Sequence, residues 1–195
     1  MKTIVLLRIA QIAALFIGVP FAVVGDHAWA ASTADTMEAA RQIRWPDLVP
    51  PGWDPMAILR EKNKERGAGL VSDADPRILQ VMREMREIWD NAPVNETLDG
   101  AIVKLPGYVV PLEEAGGAVK EFLLVPYFGA CIHSPPPPAN QIVHVVPTKP
   151  ARGLRSMEVV WVSGKLQAKR QDSYMGKSGY HMDAFKIEPY VAPPQ

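Results

Sequence analysis

A chain with a single cysteine, Cys131, can form no internal disulfide and holds no CxxC pair, which excludes a disulfide scaffold and a thioredoxin-type redox site. Neither charge is in excess: 21 Lys and Arg stand against 21 Asp and Glu. No long-range field therefore draws in phosphate backbones or anionic lipid, and nucleic acid is excluded as an expected partner. Interleaved basic and aromatic residues that would stack single strands are missing as well. There is no internal repeat, and low complexity is confined to Pro135–Pro138 and Pro193–Pro194. What remains is a globular chain folded by core burial, with 48% hydrophobic residues.

That core does not begin at the first residue. Lys2 and Arg8 precede an apolar run from Ile9 to Val24, and the run ends in Ala28-Trp29-Ala30, a small-x-small cleavage pattern. This is the order of a secretory signal peptide over residues 1–30, with an apolar part short for a membrane span. The expectation is a periplasmic protein starting at Ala31, touching the membrane only if the signal stays uncleaved. No cysteine follows the run, so lipidation there is excluded. Removing thirty of the 195 residues leaves 165, enough for one core and too few for two.

Residues 31–44 read as a flexible leader and 45–93 as a helical strap packed on the β-rich remainder of the chain. Trp45-Pro46-Asp47-Leu48-Val49-Pro50-Pro51 reads as an irregular segment docking its Trp, Leu and Val on the core, since residues before proline are pushed to extended conformations. Asp54-Pro55 and Asp75-Pro76 each pair an N-cap with proline at the first helical position. The first opens a helix to about Arg66. In the second, Leu79, Met82, Met85, Ile88 and Trp89 recur at helical spacing as an expected core stripe, ended by Asn91 and Pro93.

After Pro93 the pattern turns to strands. Leu98 to Leu112 is β-rich, with Pro106-Gly107 where a strand must bend or bulge. Glu113 to Gly117 reads as a solvated turn. Val119 to Val125, Gln141 to Val146, Met157 to Leu166 and a stretch near Tyr180 to Val191 follow as strands. Five short strands with a bent first one suit closure, which removes exposed edges. The expected fold is mainly β: a small five-stranded OB-like barrel over 94–195, preceded by two helices.

Residues capable of chemistry cluster between Phe128 and His144. In an extended segment Cys131 and His133 share one face, the prolines form a stiff connector, and the chain returns as a strand carrying His144. A thiolate with two imidazoles is a ligand set for zinc or copper, with one position open. Cys131, His133 and His144 are therefore candidate metal ligands, and His181 is a residue that could complete the set. Two other readings stay open: a buried Cys131 with a hydrogen-bonded strand histidine at His144, and a Cys131 nucleophile with His133 or His144 as base. The last lacks an oxyanion turn and an orienting carboxylate. Asn140 and Gln141 close the proline loop, either serving its own amides and carbonyls or reaching a cofactor. Tyr127 and Phe128 read as core walls before pocket walls.

Trp45 to Pro50, Leu105-Pro106-Gly107-Tyr108-Val109-Val110-Pro111-Leu112, Phe122 to His133 and Pro135 to Gln141 together resemble the bacterial family called domain of unknown function 3299. The resemblance spans about Trp45 to Tyr190. It implies an exported protein with an OB-like barrel, and accessory service beside ABC-type transporters, some of them zinc-regulated. Such a transporter or its periplasmic components is then the expected partner. The resemblance implies no activity, and the expectation is a binding or accessory protein and not an enzyme. The alternatives are an interaction module using the Pro135–Pro138 loop and a thiol enzyme.

Overall fold

A computed structural model describes residues 40–64, 76–132 and 136–191. The expected signal segment, the first part of the expected leader, His133 and Pro135 lie outside them. The strands are β1 (Arg41–Gln42), β2 (Ile102–Ala115), β3 (Ala118–Val125), β4 (Val143–Pro147), β5 (Ala151–Arg152), β6 (Val159–Gln167), β7 (Gln171–Ser173), β8 (Gly176–Ser178) and β9 (Tyr180–Pro189), and the helices are α1 (Pro55–Asn63) and α2 (Pro76–Asp90).

Pairing runs β2–β3–β4–β9–β6 and closes from β6 back to β2. This is a five-stranded closed barrel of the OB-like kind, preceded by two helices, as the strand pattern implied. The β4–β9 pair is parallel and the other four are antiparallel. Alternation along each strand sends Val103, Leu105, Phe122, Leu124, Val143, Val145, Val162 and Met182 inside, all fully buried. A second, smaller cluster of Val110, Leu123, Val125, Ala130 and Ile142 lies outside this core.

The expected bend at Pro106-Gly107 is resolved without a break. β2 runs through both residues, pairing with β6 from Ile102 to Tyr108 and with β3 from Tyr108 onward, so the strand passes from one partner to the other at Tyr108. Glycine is needed at 107 for close approach: an added Cβ would stand 2.7 Å from the Leu124 side chain, 2.9 Å from the Trp45 ring and 2.9 Å from the Val125 carbonyl oxygen. The solvated turn is shorter than expected. Strand pairing continues to Ala115, and Gly116-Gly117, both at positive φ, make the two-residue hairpin link.

The leader and strap depart from expectation in three ways. Arg41–Gln42 pairs in parallel with Val103–Lys104 and Ile43 is buried, so the chain is tied to the barrel before Trp45. Trp45–Leu48 is a 3-10 turn, tolerated because Pro46 stands near its start, where its missing N–H is not required. The docking of this segment is as expected: Leu48 is fully buried, and the Trp45 indole N–H donates to the Pro106 carbonyl at 2.8 Å. The Leu79–Trp89 stripe is not a core stripe along its length. Leu79 and Met82 are each 61% exposed, and only Ile88 is buried. α2 is held at its close, where the Arg170 guanidinium donates to the Asp90 and Asn91 carbonyls at 3.0 and 3.2 Å and also to that of Ala92, and beside α1, where the Asn63 amide donates to Glu84 at 3.1 Å. α1 opens as predicted, with the Asp54 carboxylate accepting from the Met56 and Ala57 amides at 2.9 Å each. Among the described residues no helix is long and apolar enough to cross a membrane.

Candidate functional site

The fully buried Tyr180 ties the strap to the barrel. Its hydroxyl donates to the Leu48 carbonyl and accepts from the Asn95 amide, both at 2.6 Å. Burial pushes the phenol pKa up to about 12, so it stays a donor at any working pH. Asn140 and Gln141 also tie the strap to the barrel. The Asn140 amide donates to the Pro93 carbonyl and the Gln141 amide to the Trp45 carbonyl, each at 2.9 Å. Both donors thus serve the chain's own carbonyls.

Cys131 does not lie in an extended segment. It occupies a turn with φ of 66°, a left-handed conformation rare outside glycine, so strand alternation does not set its direction. Its side chain packs beside the second cluster, and burial pushes the thiol up to about 11, against an opposing pull from Arg86. A thiol held protonated at neutral pH is a poor nucleophile. Tyr127 and Phe128, on the same loop, are surface residues and not core walls, at 43% and 65% exposure. Phe128 meets Tyr108 edge to face at 6.0 Å.

His144 is placed by strand alternation. Val143 and Val145 turn into the barrel, so His144 turns out, on the same face as Glu121 and Leu123 of the neighbouring β3. The parallel register of β4 and β9 sets His144 directly beside His181. The two rings stack at 5.4 Å between centroids with planes 27° apart. Their Nδ1 atoms face each other at 3.2 Å. The far nitrogen of each ring is held by a carboxylate, His144 Nε2 by Glu121 and His181 Nε2 by Asp183, both at 3.1 Å. The Gln167 amide donates to Asp183 at 2.6 Å, and Gln171 Oε1 lies 2.8 Å from His181 Nδ1. Both rings are nearly buried, at 6% and 9% exposure. Burial lowers the His144 pKa, Glu121 pulls it back up, and His181 and Lys169 lower it further.

A count of protons shows what this row of groups requires. Each carboxylate accepts only, so each Nε2 carries a hydrogen. Where each Nε2 donates to its carboxylate, a neutral pair leaves lone pairs on both Nδ1 atoms, facing each other and, at His181, the Gln171 Oε1 acceptor as well. A single cation between them removes the conflict: a third ring proton, or a metal ion. Among the described residues no group of three or more His, Cys, Asp or Glu side chains is arranged to hold a metal. The structure brings His144 to His181 and Glu121, and it packs Cys131 against the second cluster.

The barrel, strap and histidine row lie in a segment that matches a family model from residue 45 to 189, described as a protein of unknown function (DUF3299). The chain belongs to the DUF3299 family. A crystal structure of a DUF3299 family protein from Pseudomonas aeruginosa PAO1 is 37% identical to it, covers 80% of this chain and 99% of its own, and superposes with a TM-score of 0.62. A putative aspartyl-tRNA synthetase from Leishmania major Friedlin is 14% identical over 70% of this chain and 26% of its own, with a TM-score of 0.33. No curated protein matches the chain.

Proposed function

We propose that this DUF3299 protein is an exported accessory protein that binds one zinc or copper ion through His144 and His181 in the periplasm and serves an ABC-type transport system. The observation that carries the reading is the pair of Nδ1 atoms 3.2 Å apart with each Nε2 backed by a carboxylate. Two nitrogens bound to zinc at about 2.0–2.1 Å in a tetrahedron stand about 3.3–3.4 Å apart. A metal-ligating histidine commonly gives its other N–H to a carboxylate, which fixes the tautomer and strengthens the ligand. Imidazole suits both zinc and copper. Gln171 Oε1 is placed to add a weak neutral ligand, and few protein ligands favour an ion that is passed on over one that is held.

Export rests on the Lys2/Arg8, apolar, Ala28-Trp29-Ala30 order, and transport service on the family resemblance alone. Of the residues singled out from the sequence, His144 and His181 have the surroundings of a ligand. The thiol-enzyme alternative loses support because the Cys131 thiol is protonated at neutral pH. A second reading fits the same contact: one proton shared between the rings in place of the ion. Titration with zinc and with copper against a competing chelator separates the two. The metal reading expects one ion per chain, lost in both His144→Ala and His181→Ala; the proton reading expects no saturable binding.

A further inference from the structure

Away from the histidine row, a groove of about 1090 Å³ opens at one end of the barrel. That exceeds the usual ligand-pocket range of about 300–1,000 Å³. Its floor is the barrel core: Val160 and Ala184 are buried there, with Leu154 and Ile187 packed against the same cluster. The connection from β4 to β6 crosses this end with no helix, only the two-residue β5 and turns, which leaves the floor open.

The charges at the rim are unequal in their commitments. Glu188 is bound at 3.0 Å by both Lys104 and Lys186, and Glu158 accepts from the Arg155 amide at 2.9 Å. Lys149 and Arg152 also line the groove, both exposed, and neither has a side-chain ion pair or hydrogen bond among the described residues. An apolar trough with two uncommitted cations at its mouth complements one kind of molecule. We infer that this groove binds an anionic single-chain amphiphile, with its alkyl chain along Val160, Ala184 and Ile187 and its carboxylate or phosphate head at Lys149 and Arg152. Burial of the chain supplies affinity, and the cations choose the sign of the head and fix its end of the groove. This inference does not rest on metal binding at His144 and His181.

The test is calorimetric titration of the purified protein, in chelator, with laurate, dodecyl phosphate, dodecyltrimethylammonium and inorganic phosphate, each below its aggregation threshold. Laurate and dodecyl phosphate are expected to bind at one per chain. The cationic amphiphile and inorganic phosphate should bind at least about tenfold more weakly, because each lacks one half of the complementarity. Reversal of both cations in Lys149→Glu/Arg152→Glu, a change confined to exposed side chains, should weaken laurate by about tenfold or more. Lys177→Glu, on the lining of a different pocket, should leave it unchanged. Equal binding of the cationic and anionic amphiphiles, an unmoved affinity in the double variant, an equal loss in Lys177→Glu, or inorganic phosphate binding as tightly as laurate would each overturn the assignment. If laurate and dodecyl phosphate do not bind below millimolar concentration, the groove has no such ligand.

Discussion

Replacing Tyr180 with Phe removes one oxygen from a site with no exposure and two hydrogen bonds of 2.6 Å. The ring is kept, so the apolar contacts of the barrel core change little. Left behind are the Leu48 carbonyl and the Asn95 amide, one acceptor and one donor without their partner. Each such loss costs about 1–3 kcal/mol when the group stays buried. Leu48 is fully buried and Asn95 is half-buried, so the sum falls at about 2–4 kcal/mol, with the Leu48 side as the larger part. For a domain of this size that corresponds to a melting temperature lower by roughly 5–12 °C. Urea unfolding followed by tryptophan fluorescence reads the change directly, and the denaturant slope should stay constant if the fold is otherwise kept. Because burial holds the phenol near 12, the difference between Tyr180→Phe and the parent should be flat from pH 6 to 9. A destabilisation below about 0.5 kcal/mol would refute the claim that this hydroxyl bolts the strap to the barrel.

Gly107→Ala should cost about 1–3 kcal/mol, read in the same urea experiment, because the new methyl meets Leu124, Trp45 and a backbone oxygen at under 3 Å. Acid should weaken the metal-free fold through His144. Its folded pKa is lowered by burial, so its stabilising contribution is complete above the unfolded value near 6.5 and is lost as pH falls from there through the folded value. Stability of the parent minus that of His144→Gln should therefore fall below pH 6.5, and a difference independent of pH would contradict the burial argument. The Cys131 thiol should react slowly with a disulfide probe at pH 7–8 and speed up tenfold per pH unit toward 11, as set by its thiolate fraction.

The barrel was legible because strand alternation is local. Val143 and Val145 on either side of His144 already say that one set faces in and the imidazole faces out. Partners across strands are not local, and this is where reading along the chain stops. His144 meets His181 through the parallel register of β4 and β9, 37 residues apart, and Glu121 comes from a third strand. His181 was visible only as a residue that could join a site. Cys131 misled for a different reason: two-residue spacing puts side chains on one face only if the backbone is extended, and here it is left-handed. Leu79 and Met82 show a third limit. Their helical spacing predicts a face, but what covers the face depends on where α2 is anchored, and it is anchored at the Arg170 cap and beside α1.

The central claim is that His144 and His181 hold a metal ion, and elemental analysis of the protein, purified without a histidine tag, tests it most directly. The account predicts about one zinc or copper per chain in the parent and in Cys131→Ala, and a stoichiometry near zero in His144→Ala and His181→Ala. A parent free of both metals, or a His181→Ala variant that keeps its ion, would contradict it.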